Sequence, residues 1–279
     1  MIGLAVAGLI AAPTLALALA AAFLWARGRL NDAAVPMSRN LIPPGAPAVV
    51  LAIWAHPDDE ITSAGTLAGL ARDGAMVSLL YLTAGEAARD TGHSRQELAR
   101  IRRAEAAEAG RLLGAVEVEV LDFPDSGLAS LDPDLARAAI RARIERFQPS
   151  VVLTFDERVG YYGHPDHVMT GRWVREVVAE DGPVRRLYQA TLPRALIDIA
   201  LRTVAAFRDN YPKDPAQALP APTLAVPIAR LAGTKRRLLD VHASQAKVIA
   251  DVQPYYDRAP AWLYYRLFDR EYFALAFER

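Results

Sequence analysis

The chain has 279 residues, no cysteine, and 32 Lys+Arg against 32 Asp+Glu, for a formal net charge of +0. That balance excludes a strongly basic nucleic-acid binder and an acidic disordered tail. Without cysteine there is no disulfide framework, thiolate metal cage or cysteine nucleophile. Any metal must be held by nitrogen and oxygen, and five histidines are present to supply nitrogen.

Residues 1–26 contain no charged side chain. At about 1.5 Å per residue they are long enough to cross a hydrocarbon core of roughly 30 Å. Trp25 suits the membrane interface, and Arg27 and Arg29 follow at once. A cleaved signal peptide would carry its positive charge before a shorter apolar region. Here the charge comes after, although Ala20-Ala21-Ala22 offers a small-residue cleavage site. The expectation is a retained single-pass transmembrane anchor over 1–26, with the bulk of the chain cytoplasmic under the positive-inside rule. The alternative is export after signal cleavage. Residues 27–47, with Asn31, Asp32, Pro36, Asn40, Pro43, Pro44, Gly45 and Pro47, read as a linker. One folded domain is expected over 48–279.

Strands and helices then alternate. Ala48 to Ala55 is a short apolar run typical of a strand buried on both faces. Ile61 to Asp73 has helical spacing, Met76 to Thr83 reads as a second strand, and Arg95 to Leu113 as a long helix. Glu117 to Phe123 alternates like a strand nearer an edge. Leu131 to Phe147 reads as a helix, Val151 to Phe155 as a buried strand, and a helix runs from Pro165 to about Glu180. Five prolines break the stretch from Asp209 to Pro227. A last helix is expected over Ile228 to Asp251, before an aromatic-rich tail. The alternation predicts an α/β fold, with a mainly parallel sheet and helices on both faces. Ligands of such sheets bind at the carboxyl ends of the strands. No two glycines are spaced G-x-G, so a dinucleotide loop and a Walker A loop are both missing and no nucleotide cofactor is expected.

The first strand ends instead in His56-Pro57-Asp58-Asp59-Glu60, and the VVLTF strand is followed by His164-Pro165-Asp166-His167. An isolated His-Pro-Asp is more often a turn with a helix cap than a ligand set. Two such clusters, each just after a buried strand, outweigh that reading. If both strands are central, the clusters meet in one crevice and suit a divalent metal with an open position.

On these motifs the chain resembles the PIG-L/LmbE-like N-deacetylase family. The resemblance extends through Thr83-Ala84-Gly85-Glu86, Arg102-x-x-Glu105, Leu113-Gly114, Phe123-Pro124-Asp125-Ser126-Gly127 and His242-x-Ser244-Gln245. It implies a Rossmann-like fold, with His56, Asp59 and His167 holding Zn2+ (Fe2+ or another divalent ion also suits this set). Asp58 would be the general base. His164 would stabilise the oxyanion or protonate the departing amine, Asp166 would orient the cluster, and Tyr162 would touch the transition state. Arg102 and Asp125 match sugar-contacting positions, and His242 matches a position near the pocket, with a packed, hydrogen-bonded histidine as the alternative. Glu60 either supports a ligand from behind or begins a helix.

The function expected from the resemblance is zinc-dependent hydrolysis of the N-acetyl group of an N-acetylglucosamine-containing substrate. The anchor suggests that the substrate is lipid-linked. The alternatives are deacetylation of a soluble N-acetylglucosaminyl glycoside, such as a thiol precursor, and a non-catalytic sugar- or metal-binding module. The expected partners are the amino-sugar substrate and the membrane, with no nucleic acid.

Overall fold

The structure is a computed structural model that describes residues 2–279 except residue 90, with the backbone alone for residues 2–13. Helix α1 covers Ile2–Leu30. There follow β1 (Val49–Trp54), α2 (Ala64–Arg72), β2 (Met76–Thr83), α3 (Arg95–Leu113), β3 (Glu117–Phe123), α4 (Pro133–Phe147) and β4 (Val151–Thr154). A single turn, α5 (Gly160–Gly163), leads into α6 (Pro165–Ala179), β5 (Arg186–Thr191), α7 (Arg194–Thr203) and α8 (Ala205–Asn210). The chain closes with β6 (Leu224–Pro227), α9 (Ala232–Val241), α10 (Ala246–Val252), α11 (Ala261–Leu267) and β7 (Arg270–Glu278).

The strands form one seven-stranded sheet in the order β3-β2-β1-β4-β5-β7-β6. The first five in that order run parallel, and β7 is antiparallel to both β5 and β6. The continuous apolar run of β1 is buried on both faces because successive side chains point to opposite sides. Val50, Ala52 and Trp54 join one apolar layer with α2, α3 and α9, whereas Leu51 and Ile53 join the other with α4 and α6. The expected helices on both faces are therefore present, and β3, expected near an edge, is an edge strand.

Strand order reverses between β1 and β4, which pair in the register Val50↔Val151. The chain goes outward from β1 through β2 to β3, then returns to β4 on the other side of β1. A crevice at the carboxyl ends of two such strands is the usual ligand position in an open α/β sheet. Both histidine-carboxylate motifs leave the sheet there.

Several expected elements take a different form. The helix expected over 61–73 begins with a 3-10 turn, Asp59–Thr62, before α2. The single helix expected over 228–251 is interrupted at His242, whose ψ of 55° ends α9. The side chains of His242 and Ser244 bond to Glu60 and Glu105, respectively, and turn the chain at that point. The aromatic tail contains α11 and the antiparallel β7, and Tyr264, Tyr265, Tyr272 and Phe273 are buried in the core.

Of the anchor expected over 1–26, residues 2–26 lie within α1, and residue 1 and the side chains of 2–13 fall outside the described residues. Among the described residues no helix is long and apolar enough to cross a membrane. Residues 27–30, expected to open the linker, continue α1. Asn31 then donates to the Leu267 carbonyl at 2.6 Å, and Val35 and Leu41 are buried. Ser38 N and Ala225 O, and Ala225 N and Pro36 O, exchange hydrogen bonds of 3.0 and 2.8 Å. The segment thus covers the otherwise unpaired edge of β6, which satisfies backbone groups that an edge strand leaves open.

Candidate active site

The site is built where the loops after β1 and β4 face each other. The His56 ring nitrogen Nδ1 lies 3.3 Å from His167 Nε2 and 3.5 Å from Asp59 Oδ2, while His167 Nε2 lies 3.1 Å from Asp59 Oδ1. All three residues are buried. Two imidazole nitrogens and one carboxylate thus aim at a common point. Among the described residues, His56, His164 and His167 also place ligand atoms within 4.8 Å of one another, as do His56, Asp125 and Asp166.

The far side of each ring is held. His167 Nδ1 is 3.0 Å from the Gly160 carbonyl, which can only accept, so Nδ1 donates there and Nε2 is the nitrogen that faces Asp59. A side chain on Gly160, at φ +60°, would stand 2.6 Å from His167 Cβ, so this close approach requires glycine. Asp156 positions the same loop by accepting from the backbone N–H groups of Arg158, Val159 and Tyr161. His56 Nε2 faces Asp125 Oδ1 at 3.1 Å and Asp166 Oδ2 at 3.4 Å. This carboxylate backing fixes a metal-binding imidazole and strengthens it as a donor. The donor set therefore fits a divalent cation. Phe155 stacks on the His167 ring with centroids 4.1 Å apart.

Electrostatics follow from this packing. Burial alone would lower the His56 imidazole, but Asp125, Asp166 and Asp59 hold it well above its ordinary value. Burial opposes the Asp59 carboxylate, yet His167 and His56 hold it far below the usual range. Asp125 is likewise opposed by burial and pulled down by His56. Asp58 differs from its neighbour. Burial raises it to about 6 against the pull of Arg102, whose Nη2 is 3.2 Å from Asp58 Oδ1. Such a carboxyl is ionised at neutral pH and remains basic enough to accept a proton. His164 caps α6, accepting at Nδ1 from Asp166 N–H at 3.2 Å. Burial, with repulsion from His167 and His56, lowers it to about 3, which leaves a neutral ring with its proton on Nε2.

The chain is similar to known proteins over most of its length. A model of the GlcNAc-PI de-N-acetylase family, PIG-L, matches residues 51–178. A protein of Nakamurella multipartita named 1D-myo-inositol 2-acetamido-2-deoxy-alpha-D-glucopyranoside deacetylase is 35% identical over 239 residues, covering 73% of this chain and 81% of the relative. The chain belongs to the PIG-L family. A second relative of the same name, from Rhodococcus opacus, is 30% identical, covering 71% of this chain and 82% of that protein. Among solved structures, the N,N'-diacetylchitobiose deacetylase of Pyrococcus horikoshii is 26% identical with a TM-score of 0.58, covering 82% of this chain and 83% of that one.

Most PIG-L motif residues converge on this crevice, but three expected substrate contacts have other partners. Arg102 is buried and donates to the carbonyls of Gly85 (3.0 Å) and Pro57 as well as facing Asp58. Gly85 makes room for it, because a Cβ there would stand 2.4 Å from the guanidinium carbon. Asp125 accepts from Ala87 N–H at 2.7 Å and backs His56. His242 is fully buried, with Nε2 2.5 Å from Glu60 Oε1. Asp166, expected to orient the cluster, accepts from the N–H groups of Ser126 and Leu128 and reaches His56. The Tyr162 ring stands 5.1 Å from that of His167 and 6.1 Å from that of His164.

Glu60 is a buried carboxylate rather than merely the start of a helix. It accepts from Asp58 N–H (3.0 Å) and from the Tyr81 hydroxyl (2.8 Å). Burial opposes its charge, but His242 and Tyr81 hold it below its ordinary value. Sequence reasoning did not assign the tie between Glu105 and Ser244 (N 2.8 Å, Oγ 2.6 Å) or the loop-holding role of Asp156. An aspartate just after a strand and ahead of a glycine loop is the available signal for the latter. Two residues of the basic run Lys235-Arg236-Arg237 are engaged within the protein. Lys235 is buried against Glu271 at 2.6 Å, and Arg236 donates to Tyr256 O.

Proposed function

We propose that this protein is a divalent-metal-dependent N-deacetylase that hydrolyses the acetamide of an N-acetylglucosaminyl glycoside to acetate and the free amino sugar. The observation that carries the reading is a His/Asp/His donor set with a second carboxylate, Asp58, left beside it at a pKa of about 6. The names of the relatives support the same bond and the same sugar. His56, Asp59 and His167 would hold the ion, with Zn2+ the first choice and Fe2+ also suited to these ligands. When bound, such an ion supplies Lewis acidity toward the amide carbonyl and toward water.

Asp58 accepts the proton of the attacking water, a role worth on the order of 10²–10⁴ in rate. His164 presents its Nε2–H to the developing oxyanion, because Nδ1 is engaged by the backbone of Asp166. With His164 neutral at rest, the proton taken by Asp58 is the one delivered to the departing amine. Tyr162 borders the reacting carbon, while Asp125 and Asp166 keep His56 in register. Arg102 holds the base, and the sugar is contacted by groups nearer the mouth of the crevice.

The lipid-linked form of the substrate is supported by two features. Residues 1–26 carry no charge, and α1 packs on α7 and α11. Those two helices wall a cavity of about 170 Å³ lined by Leu196, Phe207, Tyr264 and Phe268, which also touches Ile61 beside the metal motif and Tyr161 beside Tyr162. In this reading 1–26 anchors the chain, Arg27 and Arg29 lie on the cytoplasmic side, and the cavity receives the hydrocarbon of the aglycone. A second reading, a soluble inositol-type glycoside, is favoured by the names of the relatives. Acetate release by the full chain from an N-acetylglucosaminyl lipid in mixed micelles and from N-acetylglucosaminyl-inositol separates the two. A higher kcat/KM for the glycolipid supports the first, and an equal or higher value for the soluble glycoside supports the second.

A further inference from the structure

We infer that His242, acting through Glu60, is a positioning residue for Asp58; the inference rests on the reading of Asp58 as the general base. The need for such a device lies in the backbone. Asp58 has φ 106° and ψ −21°, a left-handed conformation uncommon for any residue with a side chain, although aspartate and asparagine enter it more often than the rest. A residue held there keeps its place only where its surroundings over-determine it.

Two arms do so. One is Arg102, which donates to the Pro57 carbonyl and faces the Asp58 carboxylate. The other begins at the Asp58 N–H, which donates to Glu60 Oε2 at 3.0 Å. Glu60 is fully buried, so its own orientation requires donors. Tyr81 supplies one to Oε2 at 2.8 Å, and His242 supplies the other to Oε1 at 2.5 Å. Among the described residues, the remaining nitrogen of His242, Nδ1, is buried without a partner, and Glu60 is the hydrogen-bonded partner of the ring. His242 is brought there by the break between α9 and α10, which the bonds from Ser244 to Glu105 on α3 hold in place. The break that ends α9 at His242 and the backbone of Asp58 are therefore joined by two consecutive hydrogen bonds, His242 to Glu60 and Asp58 N–H to Glu60.

The arrangement assigns His242 to the chemical step rather than to sugar or metal binding. Misplacing a reacting group by about 1 Å can cost up to about 100-fold in rate. For His242→Ala in the metal-loaded full chain, kcat is expected to fall roughly 10–100-fold, with KM for a simple N-acetylglucosaminide and metal content both unchanged. The acid limb of the kcat/KM profile should move with it. His242→Gln retains a donor for Glu60 and should recover most of the loss, and it also serves if the alanine variant does not fold. In an Asp58→Asn background, His242→Gln and His242→Ala should cost nothing further.

Wild-type kcat and pH profile in His242→Ala would overturn the inference. So would a loss that tracks metal content, or an equal loss in the Asp58→Asn background. Asp58→Asn with wild-type activity would instead remove the base reading itself. The two failures are thus distinguishable.

Discussion

Arg102 Nη2 stands 3.2 Å from Asp58 Oδ1, and the arginine side chain is 4% exposed. The contact gives the proposed base its working range. Burial drives the carboxyl upward, Arg102 opposes it, and the balance settles at about 6. A nearby cation favours the charged carboxylate, so its removal must raise the pKa. Arg102→Met should therefore shift the acid limb of kcat/KM to higher pH by about one unit or more, and lower the rate at neutral pH. A pH–rate profile checks this, and an unmoved limb would contradict it.

The same balance makes Asp58 a cost to stability. Its folded pKa, about 6, lies above the ordinary 3.8, so ionisation is harder in the folded protein. Below about pH 4 the carboxyl is neutral in both states and costs nothing. As pH rises through about 6 the folded state loses stability relative to a neutral side chain. Asp58→Asn should thus lose on the order of 10²–10⁴ in rate yet be more stable at pH 8 by on the order of 1–3 kcal/mol, with the gain vanishing near pH 4. Asparagine also tolerates the left-handed backbone. Denaturant melts at the two pH values measure the difference. A variant less stable than wild type at pH 8 would count against this account of the site.

Asp125 backs His56 Nε2 at 3.1 Å and accepts from Ala87 N–H. Loss of such a partner typically costs 10–100-fold in metal affinity. Asp125→Asn should weaken divalent-metal binding by about that factor while the sheet melts normally, as competition with a chelator would show. Affinity equal to wild type would mean that Asp166 alone suffices to hold the ring.

Gly160→Ala should act on the same metal through the backbone. The added methyl would lie 2.6 Å from His167 Cβ at a φ of +60°. Weakened metal binding in a folded protein is the expected outcome, read by metal content and circular dichroism. Full metal occupancy with unchanged affinity would show that the loop yields without moving His167.

Much of this architecture was legible in the sequence, for identifiable reasons. The bounds of β2, α3 and β3 coincide with the segments Met76–Thr83, Arg95–Leu113 and Glu117–Phe123 read from apolar runs and helical spacing. β2 buries seven of its eight residues and α3 buries one face, while β3 alternates charged and apolar residues, and each leaves a clear pattern. β5 left a weaker one, because RLYQAT carries Arg186 and Gln189 on a short strand. β7 was hidden in an aromatic-rich tail from which no strand was read. In the site, His56, Asp58, Asp59, His164 and His167 stood out because each motif follows a buried strand. The pairing of Glu60 with His242 spans 182 positions, and no local period reports such a contact. Arg102 shared its helix with several surface arginines, so its burial was visible only once Gly85 and Pro57 were in place around it.

The central claim is metal-dependent hydrolysis of an N-acetyl amide at the His56–Asp59–His167 cluster. It is tested most directly by acetate release from an N-acetylglucosaminide by the full chain, measured before chelation, after chelation and after return of Zn2+ or Fe2+. The account predicts release that is lost on chelation, restored by metal, and absent at every stage in His167→Ala. Release that persists in the chelated protein, or in His167→Ala, would contradict it.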